Sequence, residues 1–439
     1  MEKILLGDLY SLFKKHQFIS TDTRSIRPGS LFFALKGPTF NGNQFATIAL
    51  ALGAAFAIID DAAYGVDSRY ILVEDGLKAL QELANYHRRQ LKIPVLGITG
   101  SNGKTTTKEL IRAVLEKKFI TLATKGNLNN HIGVPLTILS ITDKTEFAVI
   151  EMGANHQKEI ESYCHIAKPD FGLITNVGKA HLEGFGGFNG VKKGKGELYQ
   201  WISSNGKKIF LNASNEHLVE MASSFSEEQK VHYSTDEKSY CNGKLLSDTP
   251  FLTVEWKCEG RKGTIHTQLI GAYNFENVLS AICIGNYFGI TPADIDQAIA
   301  SYVPDNSRSQ LIKKGSTTIL LDAYNANPTS MEAALKNFEK IEADQKIICI
   351  GDMAELGDES MEEHQRIIDV LKKMKYDYLL LVGKNFANFT DELPSIPFET
   401  SELATDWFNA HPVQNATILI KGSRSSQMEK ILAGIPEGK

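Results

Sequence analysis

The stretch Gly100-Ser101-Asn102-Gly103-Lys104-Thr105-Thr106 holds the plainest chemistry in the chain. Two glycines flank a small polar pair, and a lysine and two hydroxyls follow. Such a turn lets backbone N–H groups approach an anion, and the N-terminus of a following helix adds its dipole. Lys104 can reach the terminal phosphates of a nucleotide, and the Thr105 hydroxyl can hold Mg²⁺. The spacing departs from the common P-loop, which needs a glycine where this chain has Ile98; Gly97 stands one residue out of register. The working element is therefore Gly100-x-x-Gly103-Lys104-Thr105, and the chemistry expected is nucleotide binding through phosphate.

Other residues with chemical potential lie far along the chain. Glu151 closes the apolar run Phe147 to Glu151, where a carboxylate serves as a Mg²⁺ ligand or as a capping or salt-bridged acid. His181 follows Phe171 to Val177. Imidazole is a weak partner for a hard cation, so a structural or phosphate-donating role competes with metal binding there. Lys192, Lys193 and Lys195 form a short basic cluster, read as a solvated face or as phosphate neutralisation. Arg308 and Arg424 can clamp a phosphoryl group or a carboxylate in bidentate fashion. Asn274 and Asn277, at i and i+3 on a helix start, can read an adenine edge or cap the helix.

These residues need elements to position them. Val95 to Thr99 reads as a buried strand, and Leu110, Ile111, Val114 and Leu115 have helical spacing after the glycine turn. From residue 93 to about 306, apolar strands alternate with helices, which predicts a parallel sheet with helices on both faces. Ligands of such sheets lie beyond the C-terminal strand ends. The phosphate loop, Glu151 and His181 all stand at such ends and are expected to converge. Residues 307–439 repeat the alternation, with strands at Thr317 to Asp322, Lys346 to Ile350, Tyr378 to Val382 and Ala416 to Ile420. They lack Gly-x-Gly-x-x-Gly and predict a second doubly wound unit. Residues 1–83 form a small α/β unit, in which Thr21, Thr23, Arg24 and the Gly37–Gly42 loop can meet a phosphorylated ligand. Leu77 to Gln90 is a connecting amphipathic helix.

Composition bounds the class. The chain has 439 residues, 42% hydrophobic and 23% charged, which suits a soluble globular protein of several domains. A net charge of −5 argues against a nucleic-acid surface. The longest apolar stretch, Ile48 to Ile59, is too short to span a membrane. The start, Met1-Glu-Lys-Ile-Leu-Leu-Gly-Asp, predicts no signal peptide. Cys164, Cys241, Cys258, Cys283 and Cys349 are scattered and odd in number, so buried free thiols in a reducing cytoplasm are expected.

The motifs are not independent of one another. Gly100-Ser-Asn-Gly-Lys-Thr-Thr resembles the ATP loop of the Mur ligases and their relative folylpolyglutamate synthetase. Further stretches narrow the resemblance to the Mur ligases: Lys125-Gly-Asn-Leu-Asn-Asn-His-Ile-Gly-Val-Pro, Glu151-Met-Gly-Ala-Asn-His, Asn176-Val-Gly-Lys-Ala-His-Leu-Glu-Gly-Phe-Gly, Asp322-Ala-Tyr-Asn-Ala-Asn-Pro-Thr-Ser-Met and Gly351-Asp-Met-Ala-Glu-Leu-Gly. The chain departs from the family pattern at Asn41-Gly42-Asn43, Tyr273 and Ala323.

The resemblance implies an α/β protein of three domains. Residues 1–83 would be a small UDP-substrate-binding domain. Residues 84–306 would be a P-loop-type ATPase domain with a mainly parallel sheet. Residues 307–439 would be a Rossmann-like doubly wound domain that binds an incoming dipeptide and closes on ATP. The implied reaction joins D-alanyl-D-alanine to UDP-N-acetylmuramoyl-tripeptide through an acyl phosphate, a step of peptidoglycan synthesis in the cytoplasm by a monomer. The third residue of the tripeptide, meso-diaminopimelate or L-lysine, stays open. ATP would contact Gly100, Ser101, Asn102, Gly103, Lys104, Thr105, Thr106, Asn274, Asn277, Arg308, Asp322, Tyr324 and Asn325. Two Mg²⁺ would be held by Thr105, Glu151, His181 and a carbamylated Lys195. Lys104, Lys195, His181 and Arg308 would serve catalysis. Thr21, Asp22, Thr23, Arg24, Gly37 and Asn129 would grip the UDP substrate.

Overall fold

A computed structural model of the chain describes residues 2–305 and 307–437. Residues 1, 306, 438 and 439, at the ends of the three expected units, lie outside the described residues. Three main sheets follow one another along the chain. The first has four parallel strands, in the order Ile19–Ser20, Leu31–Phe33, Phe56–Ile59 and Tyr70–Leu72. Helix Gly76–Gln90 leads out of it. Asp75 caps that helix by accepting from the Lys78 N–H, and Leu80, Leu83, Ala84 and His87 bury one stripe at helical spacing. The same helix is fastened to the next unit. The Arg88 guanidinium donates to the carbonyls of Leu91, Ala167 and Lys168 and to Asp170.

The second sheet has nine strands. Its centre is Val95–Thr99, buried along its whole length, with Phe171–Ile174 on one side and Phe147–Glu151 on the other, all parallel. The chain leaves Val95–Thr99 toward one edge, through helix Lys104–Leu115 and strand Thr121–Ala123, and later returns on the other side. The phosphate-loop strand is thus a switch point of the sheet, where a crevice opens beyond the strand ends. The third sheet runs Gln310–Lys314, Thr317–Asp322, Ala416–Lys421, Gln345–Gly351, Tyr378–Val382, Ile396–Phe398, with only the first pair antiparallel. The α/β fold class, with a mainly parallel central sheet and a doubly wound C-terminal sheet, is as expected.

Three local features differ from the sequence reading. The strand expected over Phe171 to Val177 ends at Ile174, because Thr175 to Gly178 turn to hold the phosphate loop. Strands Cys241–Ser247, Thr253–Cys258 and Arg261–His266 form an antiparallel extension instead of continuing the alternation with helices. The register of that extension sets Cys241 opposite Cys258, with Cα atoms 4.2 Å apart, and the two form a disulfide. The expectation of five free thiols is corrected there: only Cys164, Cys283 and Cys349 are free, all buried. Among the described residues, no helix is long and apolar enough to cross a membrane.

Candidate active site

The glycine turn is fixed from both ends. Gly100 and Gly103 hold φ of +145° and +76°, conformations that a side chain disfavours. A Cβ on Gly100 would lie 2.0 Å from the Thr175 hydroxyl, and one on Gly103 would lie 2.6 Å from Asn277 Oδ1. The segment after Phe171–Ile174 clamps the turn. The Ser101 and Asn102 N–H groups donate to the Asn176 carbonyl and to Asn176 Oδ1, at 3.0 and 2.9 Å. Thr175 donates to the Asn102 carbonyl at 2.6 Å, and Ser101 and Gly178 exchange hydrogen bonds. Lys104 folds over its own loop, its ammonium donating to the carbonyls of Gly100 and Ser101 at 2.6 and 3.2 Å. Burial pushes this ammonium down to about 8, with Glu151 opposing the shift and Arg308 adding to it.

Glu151 lies at the foot of the loop and is 1% exposed. Its Oε1 accepts from the Thr105 hydroxyl at 3.2 Å and from Asn129 Nδ2 at 2.7 Å. Its Oε2 is buried without a hydrogen bond, 3.7 Å from the ammonium of the buried Lys108. A buried carboxylate oxygen that accepts no hydrogen bond keeps its lone pairs free, and beside a phosphate loop it suits a hard cation. Thr105 supplies a hydroxyl oxygen next to it.

Lys195, on helix Phe188–Asn205, is 0% exposed. Its ammonium donates to the Ala154 carbonyl at 3.0 Å and sits 4.9 Å from the centre of the Phe185 ring. Ala154 belongs to the turn after Glu151. Phe185 belongs to the turn of helix that starts at His181, and its N–H donates to the His181 carbonyl. Lys195 therefore joins the exits of the two strands that carry Glu151 and His181. Burial, and after it the charge of Lys104, holds its amine well below the usual lysine range, with Glu159 and Glu197 opposing. Among the described residues, no group of three or more His, Cys, Asp and Glu side chains gathers as a ready metal cage.

The C-terminal unit reaches into the same crevice. The Arg308 guanidinium stacks 3.6 Å above the Tyr324 ring, and its buried Nε is without a hydrogen bond. Asp322 accepts from the Ser309 N–H at 3.1 Å and from the buried Lys421 ammonium at 2.5 Å. Asn325 accepts from the Arg424 N–H. Asn327, which caps helix Pro328–Glu339, donates its amide to Asn102 Oδ1 at 2.7 Å. His181 Nδ1 lies 2.5 Å from Glu355 Oε2, and Lys179 pairs with Glu363. Asn274 and Asn277 lie behind the loop in a buried chain of amides. Thr107 donates to Asn277, Asn277 to Asn274, and Asn274 to the Ile270 carbonyl.

The residues expected at the UDP end are apart from this cluster. Asp22 caps the turn Thr23–Ser25 and holds the exposed Arg24 at 2.6 Å, and Gly37 packs on the Phe40 ring. The departure Asn41-Gly42-Asn43 closes locally: Asn43 bonds Asn41 and Asp60. Asn129, expected among the UDP-substrate contacts, donates its amide to Glu151 at the foot of the phosphate loop. Sequence reasoning missed Lys108, Asn327, Glu355 and the clamp made by Thr175 and Asn176. All but Lys108 and Thr175 stood inside quoted motifs, yet their partners lie in other motifs, and spacing alone does not pair them.

Comparison with known proteins gives the family and the fold. Family profiles match over three ranges, described as Mur ligase family, catalytic domain (15–88), Mur ligase middle domain (98–285) and Mur ligase, glutamate ligase domain (307–424). The chain is 35% identical to UDP-N-acetylmuramoyl-tripeptide–D-alanyl-D-alanine ligase of Bacillus subtilis, covering 95% of this chain and 93% of that one. Among solved structures it resembles MurF from Acinetobacter baumannii, with a TM-score of 0.84, 29% identity and 96% and 97% of the two chains covered. It also resembles MurF ligase from Thermotoga maritima in complex with ADP, with a TM-score of 0.82, 25% identity and 95% and 96% covered.

Proposed function

The chain belongs to the Mur ligase family, and from that premise we propose that it joins D-alanyl-D-alanine to UDP-N-acetylmuramoyl-tripeptide, with ATP converted to ADP and phosphate. The product is the UDP-linked pentapeptide precursor of peptidoglycan, so the reaction serves cell-wall growth, shape and division. A carboxylate is a poor electrophile at neutral pH. Its oxygen therefore attacks the γ-phosphorus of ATP, a bond to phosphorus forms, and the bond to ADP breaks. The dipeptide amine then attacks the acyl carbon, the amine proton is lost, and phosphate leaves from the tetrahedral intermediate.

The protein's part is positioning and charge neutralisation. The backbone N–H groups and hydroxyls of Gly100 to Thr106 cradle the phosphates, with Lys104 and Arg308 neutralising developing charge. Asn274, Asn277, Asp322, Tyr324 and Asn325 complete the nucleotide side. Thr105, Glu151 and His181 would hold two Mg²⁺, which supply electrostatic stabilisation of the phosphoryl oxygens when bound. The observation that supports the metal assignment is the enclosed Lys195, an amine without a carboxylate partner among the described residues, between the segments that carry Glu151 and His181. A neutral amine there attacks carbon dioxide, forms an N–C bond and releases a proton. The resulting carbamate turns a repelling group into an anionic oxygen ligand. Thr21, Asp22, Thr23, Arg24 and Gly37, in the domain of residues 1–83, hold the UDP end. Residues 84–306 bind ATP, and residues 307–439 bind the dipeptide and exclude water from the acyl phosphate. Asn129 acts at the reacting end, through Glu151. The enzyme works as a cytoplasmic monomer.

Incubation with ATP, D-alanyl-D-alanine and either UDP-tripeptide is expected to yield pentapeptide nucleotide with one ADP and one phosphate per amide. Running the meso-diaminopimelate and L-lysine tripeptides side by side assigns the third residue. ATP consumption without amide formation overturns the reading.

A further inference from the structure

The turn Glu355–Gly357 of the C-terminal unit seats on the segment that carries His181. Glu355 Oε2 lies 2.5 Å from His181 Nδ1. The Glu183 N–H donates to the Glu355 carbonyl at 3.4 Å, and Gly357 packs on the Glu183 side chain. His181 Nδ1 is buried and makes no aligned hydrogen bond among the described residues, so the Glu355 carboxylate meets it as a close ionic approach. Both members of the pair hold left-handed backbone, with φ of +54° at His181 and +62° at Glu355. Such conformations are uncommon in residues with a side chain and persist where the surroundings enforce them. Two of them meet here across the boundary between the middle and C-terminal units. An ordinary exposed ion pair would need neither.

We propose that Glu355 is the positioning residue of His181, delivered by the C-terminal domain, so that the second cation site is complete only when the two domains meet. The inference rests on the reading of His181 as a metal-holding residue. A metal-binding imidazole usually donates its other ring N–H to a carboxylate, which fixes the tautomer and aims the free nitrogen at the ion. Here Nδ1 faces the Glu355 carboxylate at 2.5 Å, and a small turn of the ring that aligns Nδ1–H with it leaves the Nε2 lone pair for an ion. Lys195 lies beside the same helical turn, so the ring is steered from one domain while the remaining donors belong to the other. In an open arrangement His181 loses its orienting partner, and the cation is held by Glu151 and the lysine-derived group alone. Domain closure and cation binding would then strengthen each other, as reciprocal coupling requires.

The test uses the full chain with UDP-tripeptide, β,γ-methylene ATP and Mn²⁺ as the probe ion. Bound Mn²⁺ is counted by electron paramagnetic resonance, and the ¹⁴N modulation of the spin echo reports an imidazole ligand. The wild-type protein is expected to bind two ions with a ¹⁴N signal, and His181→Ala to lose the weaker ion and the signal. Glu355→Ala is expected to weaken that ion ~10–100-fold, the range for removing an orienting partner. Glu355→Gln, which keeps an acceptor, should recover most of the affinity. An unchanged thermal midpoint certifies the fold of each variant. Full binding and signal in Glu355→Ala, or tighter binding there, overturns the inference while leaving His181 as a ligand. An unchanged signal in His181→Ala overturns the metal reading and the inference with it.

Discussion

Lys195 and Lys104 are both lysines in one crevice, and their surroundings give them different tasks. Lys195 is sealed between Ala154 and Phe185 with no carboxylate in contact among the described residues, and burial holds its amine well below the usual lysine range, which favours the neutral, nucleophilic form. Replacing it by Ala is expected to lower kcat by about two orders of magnitude or more, a loss of about 3 kcal/mol of transition-state stabilisation. Acetate or formate should restore part of the rate by supplying the missing oxygen ligand, and steady-state assays across carboxylate concentrations read this. Lys104 is pushed down only to about 8 and faces the phosphate position. Below that value it is charged and ready for ATP; above it, the free enzyme loses the charge. A bound polyphosphate favours the ammonium, so ATP binding near pH 9 is expected to take up a proton and to weaken as pH rises. Calorimetry in buffers of different ionisation enthalpy detects the uptake, and Lys104→Met should abolish it. The sign for folding is separate. The unfolded chain binds more protons than the folded one between about 8 and the ordinary lysine value, so this group's contribution to stability rises with pH through that window. Lys104 and Glu151 were legible as chemistry from residue type and position. Lys195 looked like part of a solvated basic face, because its burial depends on a helix packing over turns far away in the chain.

At the level of elements, the phosphate loop is half of a paired structure. Its partner is the turn from Thr175 to Gly178, which lies next to it only because Phe171–Ile174 pairs with Val95–Thr99. Gly100→Ala tests that pairing. The new Cβ would lie 2.0 Å from the Thr175 hydroxyl at a φ of +145°, so the clamp or the loop has to move. ATP affinity is expected to fall at least tenfold, with ~1–3 kcal/mol lost from stability; isothermal titration and thermal unfolding measure the two. A Thr175→Ala partner substitution should recover some affinity by opening space. The parallel strands were readable because strands buried on both faces are continuous apolar runs, such as Leu379 to Val382. The antiparallel extension was not. Thr253–Cys258 alternates between buried and partly exposed residues, and its polar members hid it among loop-like sequence. The disulfide escaped for the same reason, since the opposition of Cys241 and Cys258 exists only in the register of that hairpin.

Across the whole molecule, the C-terminal unit stands over the phosphate loop, and a small set of polar contacts holds it there. Asn327 meets Asn102 in the loop itself, Tyr273 meets Ser309, and Lys179 meets Glu363. No sequence pattern predicts these pairs, because each joins segments from different domains. Glu363 is the most exacting of them. It is 0% exposed overall, and its carboxylate faces Lys179 from the middle domain and Arg366 from its own helix. Opening the domains strips Lys179 away and leaves the Glu363 carboxylate with Arg366 as its one remaining charged contact among those described. Closure is therefore favoured by the pair, and the pair belongs to the segment that also carries Asn176 and His181. Closure has to outlast the acyl phosphate, which water destroys if admitted. Lys179→Met is expected to leave ATP binding nearly unchanged while raising phosphate released per amide formed above one, since more acyl phosphate meets water before the dipeptide amine does. Glu363→Gln should act in the same direction, and the double variant should add little, because both single changes remove one interaction. Parallel assays of phosphate and pentapeptide nucleotide decide the matter. A ratio fixed at one in all three variants, with turnover reduced, would mean that the pair sets the speed of closure and not its tightness.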